Sequence, residues 1–143
     1  MPSKPQPASL AYKDMRLPAK KAWQKSEDAL QIECAKFAKK ALYLAGEPQV
    51  FHHSPNGGNR TQREAAKFKM MGVLSGVPDT FLPLKSGKYC GLYIELKKAG
   101  GSPSKEQKDF LTNVAKEGYL AIIVNDLETF KEVFTYYIQQ RKQ

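Results

Sequence analysis

The stretch GVPDTFLPLKSGKYCGLYIELKK, Gly76 through Lys98, decides the fold. Two strand-like runs, Asp79 to Leu84 and Tyr89 to Lys98, flank KSGK (85–88), and the whole reads as a hairpin. Side chains alternate across a strand, so Cys90, Leu92, Ile94 and Leu96 share one face, and Tyr89, Tyr93, Glu95 and Lys97 the other. Register then decides whether Asp79 joins Glu95. A two-residue turn at Ser86-Gly87 pairs Asp79 with Ile94, on the wrong face. A three-residue loop, Lys85-Ser86-Gly87, puts glycine at the left-handed position, pairs Leu84 with Lys88 and sets Asp79 opposite Tyr93, diagonal to Glu95. The expectation is the three-residue loop.

Downstream, AGGSPS (99–104) is a loop and Ser104 caps a helix with Phe110, Leu111 and Val114 on its apolar face and Gly118 as its stop. Tyr119 to Val124 is apolar and β-branched, as suits a buried strand. A last amphipathic helix covers Thr129 to Gln139, with Asp126 as a candidate start. Strand, helix and strand form a βαβ unit, expected to be parallel and right-handed.

Upstream, Ser26 offers an N-cap and Glu27 and Asp28 put negative charge where the helix dipole favours it. Leu30, Cys34, Phe37, Ala41 and Leu44 form a stripe at helical spacing, and Gly46 and Pro48 end it. Gln49 to Ser54 is a short candidate strand, PNGGN (55–59) a loop, and Thr61 to Met71 a candidate helix. The fold class is α/β: a mixed four-stranded sheet flanked by helices on both faces. Residues 1–25 hold Pro2, Pro5, Pro7 and Pro18 among lysines without period, and are expected to be a flexible basic arm before a domain at 26–143.

The 143 residues carry a formal net charge of +9, with a pI near 9.5. Such a surplus favours polyanionic partners, nucleic acid or an anionic membrane surface, and a solvated basic surface gives the same number. Arginine is confined to Arg16, Arg60, Arg63 and Arg141, and the lysine excess suits backbone phosphates more than base edges. Cys34 and Cys90 lack metal-ligand spacing and read as small buried apolar residues of a reducing compartment. No apolar run approaches a membrane span, and the N-terminus has no apolar signal core, so the expected location is the cytoplasm, bacterial or of a phage-infected cell.

Asp79, Glu95 and Lys97 stand where the apolar pattern does not ask for them. Two carboxylates are hard oxygen ligands for Mg²⁺ or Mn²⁺. Such an ion polarises a phosphodiester and acidifies water, while a lysine neutralises charge on phosphoryl oxygens. A cross-strand ion pair on a solvated sheet face produces the same alternation. Paired carboxylates also serve glycosidases, but the adjacent lysine, short chain and basic charge argue against that chemistry. Asn56, Asn59 and Arg60 lie in a glycine-rich segment suited equally to phosphate contact and to plain turn formation, and Lys98 adds a charge. His52 and His53 point to opposite sides of a strand and do not chelate one ion together.

Pro78-Asp79 followed by Glu95-Leu96-Lys97 resembles the PD-(D/E)xK signature of restriction-endonuclease-like nucleases. Together with GVPDTFLPL (76–84), LYIELKKAGGSPSKEQ (92–107), YLAIIV (119–124) and SPNGGNR (54–60), the chain from about residue 26 to 135 resembles the VRR-NUC (virus-type replication-repair nuclease) family. The resemblance implies Asp79 and Glu95 as metal-binding acids, Lys97 as catalytic lysine and the Leu96 backbone carbonyl as a further metal ligand. It implies Gln107 as the glutamine facing the active site and Glu33 as the first-helix glutamate that reaches the metal. By helical periodicity Glu33 sits at the margin of the stripe, facing either sheet or solvent. The implied activity is a Mg²⁺-dependent DNA endonuclease, acting as a homodimer on branched DNA such as four-way junctions. A non-catalytic DNA-binding module is the alternative.

Overall fold

The computed structural model describes residues 12–55 and 60–142. Its strands are β1 (Lys13–Asp14), β2 (His52–His53), β3 (Thr80–Leu82), β4 (Leu92–Leu96) and β5 (Leu120–Val124). The helices are α1 (Glu27–Ala45), α2 (Gln62–Met70), α3 (Lys105–Lys116) and α4 (Leu127–Gln139), with a 3₁₀ turn at Gln140–Lys142. Among the described residues the sheet has five strands in the order β1-β5-β4-β3-β2, with β4 parallel to β5 and antiparallel to β3. The mixed α/β architecture is the one read from the sequence, with one strand more.

Local chemistry accounts for the helix ends. Ser26 accepts the Ala29 N–H, Ser104 the Gln107 N–H and Asp126 the Glu128 N–H, each supplying an acceptor for a first-turn donor. Gly46, at φ 70°, ends α1 in the left-handed conformation that glycine adopts without steric cost. The stripe of α1 is rotated from the expected one. Leu30, Cys34, Ala38 and Leu42 are buried, whereas Leu44 is 72% exposed. Spacing by four keeps Leu42 under the sheet and carries Leu44 round to solvent.

The sheet has an apolar layer on each side. Leu82, Leu92, Ile94, Leu96, Leu120, Ile122 and Val124 pack with α1 and α4, including the edge-to-face pairs of Phe37 with Phe130 and Phe134. Ala121, Ile123 and Tyr93 face Leu111, Val114 and Ala115 of α3 on the other side. Each fully buried Leu, Ile, Val or Phe among them contributes about 1.5–3 kcal/mol.

Three expectations fail here for tertiary reasons. Residues 12–25 are fastened to the domain rather than forming part of a free arm. β1 pairs in parallel with β5, the Asn125 side chain exchanges hydrogen bonds of 2.8 and 3.0 Å with the backbone of Leu17, and Ala22 is buried. The rest of the expected arm, residues 1–11, lies outside the described residues. Cys90 is exposed, because regular β4 begins two residues later. For the same reason Tyr89 leaves the Glu95 face and packs beside Tyr137 of α4, ring centroids 6.4 Å apart. Among the described residues no helix is long and apolar enough to cross a membrane.

Candidate active site

The hairpin register brings the acids together by a route different from the expected one. Thr80 pairs with Ile94, Phe81 with Tyr93 and Leu82 with Leu92, which sets Asp79 across from Glu95 rather than Tyr93. The turn is the two-residue Gly87-Lys88, closed by reciprocal Ser86–Tyr89 hydrogen bonds of 3.0 and 2.9 Å. Between that bridge and Leu82–Leu92, residues 83–85 oppose only 90–91. One extra residue on the first strand acts as a bulge and restores the parity that puts both acids on one face. Pro83, with no N–H to give a ladder, stands in that irregular stretch.

Glu95 is 1% exposed, on the α3 side of the sheet. Its Oε2 accepts the Asp79 N–H at 3.2 Å, and the Asp79 Oδ2 accepts the Leu96 N–H at 2.9 Å, so each carboxylate takes a donor from the other's strand. Gln107 Nε2 donates to Glu95 Oε1 at 2.7 Å, and Lys97 Nζ stands 3.4 Å from the same oxygen. The Gln107 oxygen meanwhile accepts the Ser104 N–H at 2.8 Å as half of a capping box, which orients the amide. Asp79 is also held through its carbonyl, which accepts the Ser54 N–H at 2.8 Å and lies 2.7 Å from His53 Nδ1. Burial, reinforced by the Asp79 charge and opposed by Lys97, pushes the Glu95 carboxyl up to about 8.

The pair opens into a cleft of about 1020 Å³, lined among others by Glu27, Arg60, Phe68, Lys69, Asp79, Glu95 and Gln107. Arg60 thus reaches the cleft, whereas Asn56 and Asn59 lie outside the described residues. Lys98 is exposed, its backbone N–H donating to Glu27 Oε2 at 3.2 Å. Glu33 is not brought to the site: it pairs with Lys36 at 3.4 Å and is absent from the cleft lining. The α1 acid facing the cleft is Glu27, six residues earlier. Its sequence signal was absorbed by its helix-dipole role, because a first-turn glutamate is already explained there. One turn on, Gln31 buries both side-chain amide atoms without a hydrogen-bond partner among the described residues, and no periodicity marks it. A second groove of about 740 Å³ lies where β1 and β5 meet α4, and its lining has one carboxylate, Glu132, so it offers no paired acids.

Among the described residues no three His, Cys, Asp or Glu side chains gather as a metal cluster. The donor set shown is the two carboxylates of Asp79 and Glu95, with the Leu96 N–H bonded to Asp79. This fits Mg²⁺, which commonly takes one or two carboxylates and fills its remaining positions with water and substrate phosphate. A divalent cation also relieves the repulsion that raises Glu95.

The family model for the VRR-NUC domain matches residues 22–125, a span that holds Asp79, Glu95, Lys97 and Gln107. A solved structure described as a VRR_NUC domain protein is similar at a TM-score of 0.71 and 34% identity, covering 82% of this chain and 92% of that chain. Comparison with curated proteins finds no match.

Proposed function

The chain belongs to the VRR-NUC domain family of nucleases, and on that premise we propose that it is a divalent-metal-dependent DNA endonuclease centred on Asp79, Glu95 and Lys97. The observation that carries the reading is the convergence of two carboxylates, one fully buried, with a lysine 3.4 Å away at the head of a cleft. Asp79, Glu95 and the Leu96 carbonyl would hold Mg²⁺ or Mn²⁺. A bound ion of this kind polarises a phosphodiester and lowers the pKa of water.

The chain's own residues do the rest. Lys97 neutralises charge developing on the phosphoryl oxygens. Gln107 keeps the Glu95 carboxylate in one orientation by its 2.7 Å hydrogen bond. The Leu96 N–H, the His53 ring and the Ser54 N–H keep Asp79 beside it. Glu27 adds negative charge to the cleft wall, its carboxylate accepting the Lys98 N–H three residues beyond Glu95. Arg60 and Lys98, with the segment holding Asn56 and Asn59, meet backbone phosphates, consistent with the net charge of +9. Branched DNA such as a four-way junction is the proposed substrate, engaged by a homodimer acting on two strands.

Supercoiled, linear and four-way-junction DNA, incubated with Mg²⁺ or EDTA beside an Asp79→Ala variant, tests this. The expected result is Mg²⁺-dependent cleavage by the parent protein alone. Metal-independent binding without cleavage supports a non-catalytic DNA-binding module instead. Cleavage that survives Asp79→Ala removes the site from consideration.

A further inference from the structure

The helix α2 and the segment that follows it do not behave as a core element. None of the residues of α2 is buried, and Met70, Met71 and Leu74 are 89%, 69% and 58% exposed. Its fold is nevertheless well defined. Thr61 and Glu64 close a capping box, and the Arg60 guanidinium lies 4.4 Å from the centre of the Phe68 ring. Grouped large apolar side chains in water mark a contact surface.

Charge says what kind of surface. Arg60, Arg63, Lys67 and Lys69 all belong to this helix and its approach, and none pairs with a carboxylate among the described residues. Glu64, the acid of the helix, is engaged in the cap. A second copy docking this patch on itself would set eight cations face to face. A polynucleotide matches both halves, with phosphates for the cations and base faces for the apolar side chains. The patch is also continuous with the candidate active site. Arg60, Lys69 and Leu74 line the same cleft as Asp79 and Glu95.

Resting on the nuclease reading above, we propose that Met70, Met71 and Leu74 form a base-contacting ledge that selects DNA with unstacked bases beside the scissile phosphate. Intact duplex hides its base faces, so these side chains gain contact only where strands splay, at a fork, junction or frayed end. The ledge sets which DNA is accepted; the acids set the chemistry.

The test is a Met70→Ser, Met71→Ser, Leu74→Ser variant, compared with the parent on a forked DNA and on a fully paired duplex of equal length. All three positions are exposed, and a thermal melt checks that the fold is kept; Leu74→Ser alone provides a milder change. The parent should favour the fork, and the triple variant should lose roughly tenfold of that preference while its duplex rate stays within about twofold. In an Asp79→Asn background, 2-aminopurine at the fork should brighten on binding, and less so with the serine variant. An unchanged fork-to-duplex ratio, or a parent without fork preference, overturns the ledge. So does sedimentation showing that the serines convert a dimer to a monomer. If the parent cleaves no DNA at all, the nuclease reading fails separately, and the 2-aminopurine signal still decides whether the ledge meets bases.

Discussion

The side-chain amide of Gln107, on the first turn of α3, donates a 2.7 Å hydrogen bond to the buried carboxylate of Glu95 on β4. The same amide caps its own helix through Ser104. One residue therefore couples the start of a helix to the orientation of an acid on the sheet beneath it.

That coupling predicts what removal of Gln107 does. A hydrogen bond to a charged group is worth about 1.5–3 kcal/mol, the case for Glu95 once a bound cation ionises it, and one between neutral groups about 0.5–1.5 kcal/mol. Gln107→Ala should lower the cleavage rate by roughly tenfold to a hundredfold through this contact, and the melting temperature by a few degrees through this contact and the lost capping box together. Single-turnover rates on nicked-circle formation, beside a thermal melt, check both. An unaltered rate would leave Gln107 a helix cap and nothing more.

Glu95 predicts a pH dependence. Its folded pKa of about 8 exceeds the ordinary value of 4.5, so the folded protein holds this proton more tightly than the unfolded chain does. The associated stability is fully present below pH 4.5 and is lost as pH rises towards 8, so metal-free protein should melt at lower temperature at pH 8.5 than at pH 6. Mg²⁺ has to displace that proton, so its affinity should tighten by about tenfold per pH unit up to the folded pKa and then level. Calorimetric titration in buffers of different ionisation enthalpy measures the released proton directly.

Gly76 is a position where only glycine serves. It has φ 89°, and a Cβ there would lie 2.5 Å from the Glu106 backbone carbonyl, on the turn that carries Gln107. Gly76→Ala should cost about 2 kcal/mol in strain and displace Gln107 from Glu95. The expected outcome is a melting temperature lower by roughly 5–10 °C together with a loss of cleavage larger than that of Gln107→Ala. A folded variant of full activity contradicts the close packing of this segment on α3.

Lys97 and the two acids separate by what they do to binding. Lys97→Ala should cut cleavage by about 10²–10³-fold. Asp79→Asn and Glu95→Gln should abolish cleavage. Asp79→Asn removes negative charge and should leave metal-free DNA binding equal or tighter, while Glu95→Gln replaces a carboxyl that keeps its proton up to about pH 8 and should leave it equal. Gel-shift titrations over a range of salt resolve the difference, and the affinity itself should fall steeply as salt displaces the phosphate contacts.

How much of this was legible beforehand differs by element. Ser26, Ser104 and Asp126 announce their helices because a cap acts within three residues, and the alternating run from Leu92 to Leu96 separates the two faces of β4 because a strand has period two. The grouping of Asp79, Glu95 and Lys97 was readable, and so was the family, since Pro78-Asp79 and Glu95-Leu96-Lys97 lie in a connected pattern.

Sequence by itself thus determined the element types, the α/β class and the residue types at the cleft. Tertiary structure alone decided the bulge that sets Asp79 across from Glu95, the choice of Glu27 over Glu33 at the cleft, and the pairing of Lys13–Asp14 with β5. Each of these depends on groups far apart in the chain, as Leu17 and Asn125 are, whose meeting is decided by how whole layers pack and not by any signal local to either one.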